Sequence, residues 1–203
     1  MAQKGRTLIL GLGNPILGDD GVGIAIARKI KEYWPHNQSI NFHERASGNL
    51  SSEHGEREGK TPAALPQEGA TQAPSIDVIE ASLGGRFLLD LITGYQTVIV
   101  ADAIIIDEQA PAGTVYTLSV DDLGAVVNPY ASHALDLRTT VELGKKLGYK
   151  MPDTIRIYAV EIKENTVFRE GLSPEIEATV LPVAQRIMEE LGRTEKNIVS
   201  SEQ

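Results

Sequence analysis

The sequence predicts one α/β domain of three layers: a mostly parallel, twisted sheet of about five strands with one antiparallel strand, and helices on both faces. Three observations carry this prediction. Short Val- and Ile-rich runs alternate with stretches whose apolar residues recur every three or four positions, the pattern of strands joined by crossover helices. The chain has 203 residues, 41% hydrophobic and 23% charged, which suits one globular domain and excludes fibrous or wholly disordered classes. A domain of this size buries roughly 70% of the surface of its unfolded chain, so the absence of cysteine leaves stability to an ordinary core. It also removes disulfides, thiolate metal sites and a cysteine nucleophile, so any metal must be held by His, Asp, Glu or backbone oxygen.

Taken in order, residues 7–11 (TLILG) form a short apolar run suited to a buried parallel strand. After a glycine-rich loop, Val22, Ile26, Ile30 and Trp34 recur every four residues and lie on one helix face. Residues 76–80 (IDVIE), 97–101 (TVIVA) and 154–160 (TIRIYAV) repeat the strand signal, and residues 114–118 (TVYTL) follow a Pro-Ala-Gly turn closely enough to pair antiparallel. Helical spacing returns from Phe87 to Leu91, then at Leu137, Val141 and Leu147, and finally at Ile176, Val180, Val183, Ile187 and Leu191. Ser173 and Pro174 supply the start signal for that last helix. From Glu44 to Ser75 the only large apolar residues are Leu50 and Leu65, too few to offset ordering entropy, so a flexible surface insertion at 44–75 is expected. The domain is thus expected over 1–192, followed by a frayed tail at 193–203.

Charge and hydropathy narrow the function. Acidic residues outnumber basic ones 28 to 19, for a net charge of −9, which repels nucleic acid and anionic lipid at long range. The longest apolar run, 97–106, is too short to span a bilayer and contains Asp102. The first fifteen residues lack a secretory cleavage pattern, so a cytoplasmic protein is expected.

The densest chemical signal is residues 11–23, GLGNPILGDDGVG. A phosphate-binding loop is the first reading to test. The dinucleotide fingerprint needs a glycine where Ile16 stands, and a P-loop needs Lys and Ser/Thr where Asp19 and Asp20 stand. Two carboxylates would repel phosphate, which disfavours a nucleotide. They suit a cation or a polarised water instead. Asp102, directly after the strand 97–101, is expected at the same carboxyl edge of the sheet, where open α/β sheets build their sites. His133, in the segment YASH that opens a helix, is the one histidine set by regular structure. Two carboxylates and an imidazole suit a borderline divalent ion such as nickel, zinc or iron. Each residue also has a simpler role: Asp19 is expected to cap the helix starting at Gly21, His133 or Ser132 to cap the next one, and Gly11, Gly13 and Gly18 to permit turns with positive φ. Glu161, after the strand 154–160, is read as a solvated edge residue paired with Lys163.

Four separated motifs, GLGNPILGDDGVG, VIVADAI, SHALDL and IYAVEIKENTVFREGLSPEIEATV, together resemble the hydrogenase maturation endopeptidases, over nearly the whole chain outside the insertion and tail. The chain departs from that pattern in three places. Ala81-Ser82-Leu83 replaces a glycine-glycine-threonine turn, Ala131-Ser132 precedes the histidine in place of the more frequent Ser-Pro, and the insertion is unusual. The resemblance implies an endopeptidase that trims a C-terminal peptide from the precursor of a nickel–iron hydrogenase large subunit once nickel is inserted. By motif position it implies that Asp20, Asp102 and His133 bind the metal, presented by the precursor, with Asp20 and Asp102 catalytic and no organic cofactor. Gly11, Gly13, Asn14, Asp19 and Gly21 would form the supporting loop. Two rivals remain: a non-catalytic metal-sensing chaperone of the precursor, and a peptidyl-tRNA hydrolase, which shares a GLGNP opening but continues into a tyrosine and an asparagine–histidine pair that ILGDDGVG lacks.

Overall fold

Alternating side chains along β1 (Thr7–Leu12) face two separate apolar layers, and the sheet is built outward from it in a computed structural model that describes residues 5–34, 40–41, 75–82, 86–107, 109–125 and 132–200. The insertion expected at 44–75 lies outside the described residues apart from Ser75. The other strands are β2 (Ile40–Asn41), β3 (Ile76–Ala81), β4 (Thr97–Ile104), β5 (Val115–Ser119) and β6 (Thr154–Glu161). Their order is β2-β3-β1-β4-β6-β5, with every neighbour parallel except β5 and β6. Of these six, only β2 had no sequence signal, since a two-residue edge strand carries no periodicity to read.

The helices are α1 (Val22–Tyr33), α2 (Arg86–Ile92), α3 (Ser132–Lys146) and α4 (Pro174–Ser200). One layer joins Ile9 of β1, Ile99 of β4 and Tyr158 of β6 to Ile26 and Ile30 of α1 and to Ile176, Val180, Val183, Ile187 and Leu191 of α4. The other joins Leu8, Leu10, Val98, Val100 and Ile157 to Leu88 and Ile92 of α2 and Leu137 and Val141 of α3. Burial of both sheet faces explains why the strands read as continuous apolar runs rather than as alternating ones. Every large apolar side chain fully removed from water in these layers contributes about 1.5–3 kcal/mol.

Two positions differ from the sequence reading. Leu147 is 60% exposed because it lies past the last residue of α3, where helical spacing no longer sets its direction. Phe87, in the first turn of α2, is likewise exposed, and the buried stripe falls on Leu88, Leu89 and Ile92 instead. The backbone of α4 is helical to Ser200. Among the described residues no helix is long and apolar enough to cross a membrane.

Candidate metal and peptidase site

Between β1 and α1 the chain turns through a short 3-10 helix (Gly18–Gly21), and two glycines make the approach possible. Gly13 takes φ 136°, and a Cβ there would lie 1.9 Å from the Asp20 carbonyl oxygen, so only glycine lets the loop fold back on Asp20. At Gly23, a Cβ would lie 2.2 Å from the carbonyl oxygens of both Leu12 and Ala101. The bare backbone of the first turn of α1 therefore sits directly on the end of β1 and on β4 at Ala101. Gly11 lies inside β1 and not in a turn; its missing side chain makes room for Gly23 and Ala27.

This packing brings two buried carboxylates together. Asp20 is 6% exposed, and its Oδ2 accepts the Asn14 backbone N–H at 2.8 Å. Asp102 is 2% exposed and sits within β4, paired with Ala159 of β6, rather than after the strand as the sequence suggested. Its Oδ1 accepts the N–H of Ala103 at 2.9 Å. Burial first, and the nearby Asp20 charge second, hold the Asp102 carboxyl well above the usual carboxylate range, against a smaller pull from the Ala103 N–H. A proton or a cation at this point would relieve both penalties. Among the described residues no three His, Asp or Glu side chains converge on one point. His133 lies on the first turn of α3, and its side chain falls outside the described residues.

Asp19 does not cap a helix. Neither the 3-10 turn nor α1 has a side-chain cap, because Asp19 points the other way: its Oδ1 meets Arg169 Nη2 at 2.9 Å and accepts the Ser173 N–H at 2.6 Å. Backbone bonds reinforce the link, from Gly18 N–H to the Arg169 carbonyl at 3.0 Å and from Arg169 N–H to the Ile16 carbonyl at 3.1 Å. The segment after β6 thus clamps the glycine-rich loop. Glu161 is also not a solvated edge residue. It is fully buried, and its carboxylate accepts the N–H groups of Ile106 at 3.1 Å and Asp107 at 3.2 Å. Lys163 instead donates to the Ala110 carbonyl. The end of β4, just beyond Asp102, is held by this buried acceptor.

Residues 64–190, more than half of the chain, match the model of the hydrogenase maturation protease family HycI. The chain belongs to the hydrogenase maturation protease family. Its members hydrolyse peptide bonds, and this protease does so by membership. The solved structures are similar in fold. The hydrogenase maturating endopeptidase HybD from E. coli aligns at 20% identity over 93% of each chain with a TM-score of 0.65. The nickel–iron hydrogenase maturation protease HycI from Thermococcus kodakarensis aligns at 19% identity over 91% of this chain and 90% of its own, with a TM-score of 0.55. HybD from the same organism aligns at 22% identity over 92% and 98%, with a TM-score of 0.52. No curated protein sequence matches. The family span contains Asp102 and His133, and the loop bearing Asp20 precedes it.

Sequence reasoning gave no role to two residues that shape the candidate site, Gly23 and Arg169, and misread a third, Glu161, as a solvated edge residue. A signal existed for Gly23 alone, as the glycine that closes the loop motif. Arg169 and Glu161 act through contacts with residues far away in the chain, which local sequence does not encode.

Proposed function

We propose that this protease removes a C-terminal peptide from the precursor of a nickel–iron hydrogenase large subunit after nickel insertion, in the cytoplasm, with Asp20, Asp102 and His133 recognising the nickel that the precursor carries. The single observation that supports this is the buried Asp20 and Asp102 pair at the carboxyl rim of the sheet, reached from two different strands. Such a pair is costly alone and favourable around a cation.

The chain offers no cysteine and no serine in a nucleophile-elbow sequence, so water is the nucleophile. A carboxylate of the pair accepts its proton as the water attacks the scissile carbonyl, and the same group then returns the proton to the leaving amine. Seating the precursor's nickel against the triad aligns the scissile bond, and effective alignment alone is worth several powers of ten in rate. Because the site is complementary to the loaded precursor and not to the empty one, differential binding enforces the order of nickel insertion before cleavage.

The test is mass spectrometry of nickel-loaded and nickel-free precursor before and after incubation with the protease. The loaded form is expected to lose its C-terminal peptide and the empty form to remain intact. Asp20→Asn, Asp102→Asn and His133→Ala should each abolish processing with the fold retained. Equal cleavage of both precursor forms would overturn the proposal, and a precursor that is bound without being shortened would favour the chaperone reading.

A further inference from the structure

Beside the clamped loop lies a groove of about 760 Å³ that the site chemistry leaves unused. One wall is the glycine-rich loop with Ile16, flanked by Arg28 of α1; the other is the segment after β6 with Phe168, Arg169 and Glu170; and Glu177 of α4 closes one side. Ile16 is 58% and Phe168 77% exposed, so two large apolar side chains face water across a concave surface. Gly18 and Gly21 line the groove and flank Asp19 and Asp20 in the chain, so the groove shares its loop with the candidate site, although neither carboxylate lines it.

The charges along it are not balanced. Both arginines are already engaged: Arg28 Nε holds Glu80 at 2.9 Å, and Arg169 holds Asp19 at 2.9 Å. Glu170 and Glu177 are exposed and have no ion-pair partner among the described residues. Lys29, which feels Glu177 at longer range, is held by Glu32 at 2.7 Å. An occupant therefore meets apolar walls and two uncommitted carboxylates.

We infer that this groove binds an extended segment of the substrate polypeptide in which basic side chains accompany apolar ones. The apolar side chains cover Ile16 and Phe168, and the basic ones meet Glu170 and Glu177. The assignment rests on the proposed peptidase function, whose precursor it describes in more detail.

The probes are a fluorescein-labelled hexapeptide of alternating leucine and lysine, and its twin with glutamate in place of each lysine, read by fluorescence anisotropy on the full chain. Two exposed ion pairs predict at least about fivefold tighter binding of the lysine peptide. The double variant Glu170→Lys and Glu177→Lys should reverse that preference, and Phe168→Ala should weaken both peptides. On the precursor, the double variant should raise KM about fivefold with kcat unchanged. Identical peptide preference in the parent chain and the double variant would overturn the groove. Cleavage of the nickel-loaded precursor is followed alongside: if the parent chain fails to cleave while the charge-dependent preference persists, the peptidase reading falls and the groove stands, and if it cleaves without the preference, the groove alone falls.

Discussion

At Asp102 the chain buries a carboxyl group whose charged form is opposed by desolvation and by Asp20. The folded state therefore keeps the proton to a higher pH than the unfolded chain, whose carboxyl titrates near about 3.9. Between those two values the fold binds more protons than the unfolded chain, so stability falls as pH rises through that window. Asp102→Asn removes the charge, and its side-chain oxygen can still accept the Ala103 N–H. Thermal melts in chelator at several pH values from 4 to 8 should show the variant melting above the parent, with the gap widening as pH rises. Each kcal/mol relieved corresponds to roughly 2–4 °C for a chain of this size. Parallel melting curves across that range would refute this account of the pair. The same variant should lose processing, so stability and activity move in opposite directions at one residue. Asp102 stood out in the sequence as an acidic residue beside an apolar strand, but the sequence put it after the strand, whereas it lies within β4. Its coupling to Asp20 was not legible, since that depends on how closely α1 approaches the sheet. Asp19 shows the other side of this limit: sequence suggested a local cap, and a partner 154 positions away took the side chain instead.

That close approach is a property of an element rather than a side chain. The first turn of α1 can rest on β1 and β4 only because Gly23 presents no Cβ to the Leu12 and Ala101 carbonyls. Gly23→Ala should lift the helix from β1 and β4 and cost about 1–3 kcal/mol by overpacking, which denaturant titration would measure. Because the displaced turn carries the adjacent loop, processing should fall by more than that loss of stability explains. A variant as stable and active as the parent would refute the packing argument. Strand and helix identities were readable from period and composition at β1, β3, β4, β6, α1 and α4, where both faces or one whole stripe are buried. Ends were less readable: β4 runs to Ile104 and carries Asp102 inside it, and Leu147 falls beyond α3, because termination is decided by neighbours and caps more than by period.

For the molecule as a whole, an ion pair and its neighbouring hydrogen bonds join an early loop to a late segment. Arg169 and Asp19 hold the segment after β6 against the loop after β1. Asp19 is 13% and Arg169 51% exposed at the side chain, so solvent screens the pair, and a double-mutant cycle on Asp19→Ala and Arg169→Ala should return a coupling of about 1 kcal/mol or less. Asp19→Ala should slow processing without abolishing it, in contrast to Asp20→Asn; equal loss in both would mean that the two acidic residues had been assigned the wrong way round. The Asp19 bond to the Ser173 N–H spans 154 positions of the chain, so the loop after β1 takes this shape only once the segment after β6 has docked, and local opening of that segment should release the loop with it.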